Sequence, residues 1–186
     1  MIYLQVHLTL PSWLEDMQLH ARNYPDDSAR MALAIELARR NVDMQTGGPF
    51  GAALFDESGR VLGIGVNRVV SMNCSVAHAE MMAFMTAQAR TQQLRLNETG
   101  TRVTLATSAQ PCSMCYGASI WAGIDRLLVG ARASDVESLA GFDEGPLPTD
   151  WIGALQQRGI EVQLDLQREA ACAVLREYGS GGGKRY

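Results

Sequence analysis

Two short segments constrain this chain more than anything else in it: His78-Ala79-Glu80 and, about thirty residues later, Pro111-Cys112-Ser113-Met114-Cys115. Together they offer one imidazole, two thiols and a carboxylate, and the first three form a zinc-type donor set. A structural zinc site is normally closed by four protein ligands. A catalytic one keeps three and leaves the fourth position to water, whose pKa zinc can lower from 15.7 to about 7. Glu80 is placed to take that proton and hand it on. The expectation is one zinc ion per chain on His78, Cys112 and Cys115, with Glu80 as the proton shuttle.

The spacing has a physical reading. Cys112 and Cys115 are three apart, so on a helix they share a face and can share a metal. Proline is tolerated in a first helical turn, where Pro111 would fall. A helix N-terminus favours thiolate over thiol. Met81 to Arg90 is rich in helix formers, so His78 and Glu80 are expected to open a second helix. A lone C-x-x-C also fits a redox pair or half of a zinc knuckle, and a lone H-x-E carries almost no information. Their occurrence together and in this order favours the catalytic reading. Cys74, four residues before His78, would close the site structurally if it were a fourth ligand. Cys74 and Cys172 are read instead as free thiols in a reducing compartment.

Hydrophobic periodicity organises the rest. Gln5 to Leu10 alternates like a short strand stopped by Pro11, within a segment 1–25 of undefined structure that holds His7 and His20 as surface or packing residues. Asp26-Asp27-Ser28 reads as a helix cap, followed by an apolar stripe from Met31 to about Val42 and a stop at Gly47-Gly48-Pro49. Residues 52–55 and 61–66 form a hairpin. A helix over 78–93, a strand over 102–107, the cysteine helix to about Ala122 and a strand over 126–131 come next. Residues 134–149 read as loop, 151–157 as helix, 161–166 as a fifth strand and 169–178 as a last helix. Gly181-Gly182-Gly183 make the tail 179–186 flexible by itself. The alternation predicts an α/β protein: a three-layer α/β/α sandwich with a mixed five-stranded sheet, and both motif helices following the carboxyl ends of strands.

At 186 residues the chain can bury one substantial core. Its net charge of −4 lacks the basic footprint of a nucleic-acid partner. No uncharged apolar run reaches the length of a membrane span, and the first residues lack the cationic start of a signal peptide. The expectation is a cytoplasmic protein with no nucleic-acid or membrane partner.

The residues resemble the cytidine and deoxycytidylate deaminase-like superfamily. The resemblance runs from Gly48-Pro49-Phe50-Gly51-Ala52 through Asn67, Ala77-His78-Ala79-Glu80 and Pro111-Cys112-Ser113-Met114-Cys115 to Val129-Gly130. Within it the chain is most similar to the bacterial guanine deaminases, on Trp121, Ala140-Gly141-Phe142-Asp143-Glu144 and Arg185-Tyr186. The resemblance covers about residues 30–186 and implies a cytidine deaminase-like fold; the reading along the chain divides it into an N-terminal extension 1–25, a zinc-dependent deaminase domain 26–178 and a tail 179–186. The resemblance implies that His78, Cys112 and Cys115 bind zinc and that Glu80 shuttles the proton. It implies Glu144, in preference to Asp143, as a second catalytic acid. Phe50, Asn67, Ala79, Trp121, Phe142 and Tyr186 would contact the substrate, with Asn67 hydrogen-bonding the base.

The implied reaction is hydrolytic deamination of guanine to xanthine and ammonia. The amino carbon of guanine lies between two ring nitrogens, so an acid on the side away from Glu80 makes chemical sense. tRNA adenosine, cytosine and aminotriazine deamination share the same zinc chemistry and stay open as alternatives. A non-catalytic zinc-stabilised binding module is a further alternative, against which Glu80 argues. The resemblance also implies a homodimer, with the tail closing its own site or that of a partner.

Overall fold

The computed structural model describes every residue except Met1 and Tyr3, and not the side chain of His20. Helix α1 (Asp27–Asp43) begins where Asp26 accepts a hydrogen bond from the Ala29 backbone N–H at 2.8 Å. Its buried stripe, including Met31, Ala34, Leu37 and Ala38, faces the sheet. Strands β1 (Gly51–Phe55) and β2 (Val61–Val66) form the expected antiparallel hairpin. The turn is held by Asp56, whose carboxylate accepts from Ser58 and Arg60.

After β2 come a one-turn helix α2 (Val69–Met72), α3 (Ala79–Thr91), β3 (Thr104–Ala109), α4 (Ser113–Ala122), β4 (Arg126–Ala131), α5 (Ala133–Ala140), α6 (Trp151–Gln156), β5 (Glu161–Gln163) and α7 (Arg168–Ser180). The sheet order is β2-β1-β3-β4-β5. β1 is antiparallel to both neighbours, and β3, β4 and β5 run parallel. Every residue of β1 is buried, because successive side chains face opposite, equally covered sides. Ala53 and Phe55 join a core with α1, α5 and α7, whereas Ala52 and Leu54 join a core with α3, α4 and α6. This is the expected three-layer sandwich with a mixed five-stranded sheet.

Glycine lets α3 lie almost on the backbone of β2. A Cβ on Gly65 would come within 2.0 Å of the Ala79 carbonyl oxygen, and one on Gly63 within 2.6 Å of the Ala87 Cβ. The outer edge of β2 is covered by the same helix. The Thr86 hydroxyl exchanges hydrogen bonds with the N–H and C=O of Ile64, and Arg90 donates to the Val61 carbonyl at 2.7 Å.

Four sequence expectations change. Gln5 to Leu10 forms no strand, since its alternating apolar residues have no partner strand among the described residues. Two 3-10 turns follow it, Ser12–Met17 and Leu19–Ala21, and they bury Leu14, Met17 and Leu19 in the α1 side of the core. The first half of the predicted loop 134–149 is helix α5, closed by Gly141 in the left-handed region at φ 73°. β5 is shorter than expected because Asp165 and Gln167 take positive φ and turn the chain away.

Candidate active site and metal centre

The ends of β2 and β3 deliver two helix starts to one point. His78 is the N-cap residue of α3, and Glu80 lies in its first turn. Cys112 is the N-cap residue of α4, which places Cys115 in that helix's first turn and Pro111 just outside it. The partial positive charge of both N-termini therefore faces the thiols and the Glu80 carboxyl. One ligand atom from each of His78, Cys112 and Cys115 lies within 4.8 Å of the others, and His78 Nδ1 is 3.5 Å from Cys112 Sγ. A tetrahedral zinc with bonds of about 2.0–2.3 Å requires ligand atoms this close. The donor set fits the ion in type, number and spacing, and Cys74 is not part of the cluster.

The local charges are strongly shifted. A hydrogen bond from Cys115, helped by His78, pulls the Cys112 thiol down to about 4, and the same hydrogen bond together with burial pushes Cys115 up. Burial alone would lower His78, but its hydrogen bond to Cys112 and the neighbouring Glu80 raise it on balance. Burial and the Cys112 charge raise Glu80. The Thr107 hydroxyl, at the end of β3, lies 3.2 Å from Glu80 Oε1 and 3.0 Å from the Ala109 carbonyl.

Beside the triad is a cavity of about 200 Å³ lined by Phe50, Asn67, Ser75, His78, Ala79, Glu80, Gln110, Cys112, Phe142, Asp143, Glu144 and Tyr186, among others. Its walls are aromatic. Phe142 packs on Phe50 and on Tyr186 with ring centroids 5.2 and 5.0 Å apart. Asn67 donates to the Tyr186 hydroxyl and accepts from the Val69 N–H at 3.3 Å.

The loop 141–144 is pinned to the start of α4 by the Ser113 N–H, which donates to the Glu144 carbonyl at 2.9 Å. Burial first, then the charges of Glu80 and Cys112, push the Glu144 carboxyl up to about 8. Asp143 instead accepts from the Gly145 N–H at 2.8 Å.

The tail is ordered by its own chain. Arg185 donates to the Ala140 carbonyl and Tyr178 to the Lys184 carbonyl, so Tyr186 is laid over the cavity of the chain that carries it.

All but one of the anticipated site residues meet here. Trp121 does not: it is 80% exposed and does not line the cavity. Six residues along a helix is about two-thirds of a turn beyond its last full turn, so Trp121 cannot share the face of Cys115. Thr107, Ser75 and Gln110 were not anticipated. Thr107 sits at the carboxyl end of the strand feeding the cysteine helix, which is the one signal that points to it.

Residues 25–131 match the cytidine and deoxycytidylate deaminase zinc-binding region. The solved structure of a guanine deaminase from Nitrosomonas europaea superposes with a TM-score of 0.89 at 44% identity, covering 97% of this chain and 99% of that one. A similar structure, 46% identical with a TM-score of 0.90 and covering 97% of this chain and 95% of that one, holds 2,6-diaminopurine. Among curated relatives, the tRNA-specific adenosine deaminase of Buchnera aphidicola is 42% identical over 130 residues, 70% of this chain and 79% of its own length. The guanine deaminase of Bacillus subtilis is 35% identical over 111 residues, 60% of this chain and 67% of its own length. With the His78, Cys112 and Cys115 triad in place and more than half its length matched, the chain belongs to the cytidine and deoxycytidylate deaminase zinc-binding family.

Proposed function

We propose that this chain hydrolyses guanine to xanthine and ammonia. The observation that carries the reading is the cavity itself. Within about 200 Å³ it sets Glu80 and Glu144 beside the metal triad, and Asn67 among the aromatic rings of Phe50, Phe142 and Tyr186. That volume suits a bicyclic base. The full-length likeness to a guanine deaminase supports the same substrate.

Zinc, when bound, supplies the Lewis acid that makes water a nucleophile near neutral pH. The chain does the rest. Glu80 accepts a proton at a carboxylate oxygen that the Thr107 hydroxyl keeps in place. Asn67 hydrogen-bonds the base between the aromatic walls, over Ala79. Glu144, kept protonated up to about pH 8, supplies a proton so that the amine leaves as neutral ammonia. The assignment of Glu144 over Asp143 rests on their surroundings: Asp143 is engaged by Gly145, and Glu144 feels the charges of the triad.

An ammonia-release screen of the purified zinc enzyme tests this, with guanine, adenine, cytosine, their nucleosides, aminotriazines and a tRNA anticodon stem. Guanine is expected to be turned over fastest, and nucleosides hardly at all. The tRNA arm matters because of the 42% identity to a tRNA-specific enzyme. A net charge of −4 and a tail lying over the cavity favour a free base. Faster release from the anticodon stem or from cytosine sinks the reading.

Trp121 at 80% and Leu94 at 88% exposure lie on adjacent segments, joined by the Leu96 N–H donating to the Ala122 carbonyl, and they offer an apolar face to a second copy. The tail closes the cavity within each chain of that homodimer. Cys74 and Cys172, outside the metal triad and unbridged, suit the reducing cytoplasm. No helix among the described residues is long and apolar enough to cross a membrane.

A further inference from the structure

We propose that the N-terminal segment sets the position of Asn67 through a one-way hydrogen-bond relay, from Trp13 to Thr46 to Asn41, and thereby tunes affinity for the base. The proposal rests on the reading that Asn67 holds the base.

The relay has a fixed direction. The Trp13 indole can only donate, and its N–H reaches Thr46 Oγ1 at 3.1 Å. Thr46 Oγ1 in turn lies 2.7 Å from Asn41 Oδ1, so its single proton goes there. This commits the Asn41 amide. Its Nδ2 presents one hydrogen to the Gly48 carbonyl and the other to the Asn67 carbonyl, each at 2.9 Å. A flipped amide would press its oxygen against both carbonyls. Asn41 is fully buried, so a group left unpaired there is costly.

The two carbonyls belong to two walls of the cavity. Gly48 leads into Pro49-Phe50, and Asn67 lines the cavity and donates to the Tyr186 hydroxyl. The Asn67 N–H donates to the Phe50 carbonyl at 3.1 Å. The backbone of Asn67 is thus held at both of its polar groups, which fixes where its side chain stands between the Val69 N–H and the Tyr186 hydroxyl at the cavity wall. Space enforces the approach, since a Cβ on Gly47 would come within 1.9 Å of the Asn67 carbonyl oxygen. Arg68 ties the same junction to the N-terminal segment a second time, donating to the carbonyls of Thr9 and Thr46. Residues 9–13 therefore act as a brace behind the base site, and the relay makes Trp13, Thr46 and Asn41 positioning residues.

The test uses the zinc-loaded enzyme and three variants: Thr46→Val, Thr46→Ser and Trp13→Phe. Valine keeps the shape of threonine and removes the hydroxyl, and phenylalanine keeps an aromatic ring and removes the donor. Thr46→Val is expected to raise KM for guanine and Ki for 8-azaguanine together by about tenfold. Trp13→Phe should raise both by about threefold, with kcat within about twofold of the parent in each case. Thr46→Ser should restore the parent values, and zinc content should not change in any of them. In an Asn67→Ala background most of the effect of Thr46→Val on Ki should vanish, leaving only the part carried through Gly48 to the Phe50 wall.

Parent-like KM and Ki in Thr46→Val and Trp13→Phe would overturn the relay, and so would a loss confined to kcat. If Thr46→Val does not fold, Trp13→Phe and Thr46→Ser decide the matter alone. Asn67→Ala separates the two levels. Unchanged Ki there means that Asn67 does not hold the base, and both ideas fail. A raised Ki there with parent-like Thr46→Val means that only the relay fails.

Discussion

Glu144 is a carboxylic acid that the fold keeps from ionising. Its folded pKa of about 8 lies above the ordinary 4.5, so the native state binds its proton more tightly than the unfolded chain does. The stability this contributes is full below pH 4.5 and is lost as pH rises through about 8. Glutamine at this position loses nothing over that range. Glu144→Gln should therefore melt higher than the parent at pH 9, with the gap closing towards pH 4.5, while kcat falls more than KM rises. A gap that does not change with pH, read by calorimetry, would remove the strain from this residue. Glu80→Gln should differ in kind, keeping its zinc and losing about 10²–10⁴-fold in kcat. Turnover near the parent's in the metal-loaded variant would exclude Glu80 as the shuttle. His78, Glu80, Cys112 and Cys115 were legible in the sequence because their chemistry is written in short spacings, whereas Glu144 and the cavity walls were legible only through the family resemblance. Asn41, Thr46 and Thr107 were not legible, because each acts through a contact made across the fold, and Trp121 lies outside the cavity because its place on α4 turns it away from the face of Cys115 to solvent.

Elements bring these groups together, and the tolerance is set where helix meets strand. The close approach of α3 to β2 depends on Gly65, where a methyl group would meet the Ala79 carbonyl. Gly65→Ala should push away the end of α3 that carries His78 and Glu80. A loss of about 1–3 kcal/mol in denaturant unfolding is expected. Zinc affinity should weaken with it, because one ligand moves away from the other two. Parent-like metal affinity, measured by competition with a chelator, would show that the junction adapts. The hairpin, α1, α3, α4 and α6 were legible from periodicity and caps. α5 was hidden because the glycines and prolines from Gly141 onward dominated its window, although Val136 and Ala140 bury an apolar face. No local pattern announces the two turns of residues 12–21 either, since Leu14, Met17 and Leu19 find their partners on α1 and the sheet.

On the scale of the whole molecule, cavity residues come from position 50 to position 186. The tail that supplies Tyr186 is tied to Ala140 and Tyr178 of its own chain. Removing residues 182–186 should leave zinc content and melting temperature nearly unchanged, and should raise KM or lower kcat by at least about tenfold, since the cavity wall that Tyr186 supplies is lost. Mixing that truncated chain with full-length Glu80→Gln should recover no activity. Recovery in the mixture would mean that tails cross between subunits. The sequence suggested a mobile end because three glycines in a row carry no conformational preference of their own. The structure orders that end through contacts that include Ala140, 45 positions away, and Asn67, 119 positions away, which no reading of local composition contains.

The cover that α3 places over the rim of β2 reaches beyond catalysis. An open strand rim invites other chains to add to it, and that is a route to fibrils. Here the exposed groups of Ile64 and Val61 are already taken by Thr86 and Arg90. At the other rim β5 is only three residues long, with charged Glu161 exposed. Neither rim of the sheet therefore offers a long open ladder, and the hydroxyl of Thr86 already occupies the polar groups of Ile64 where one would begin.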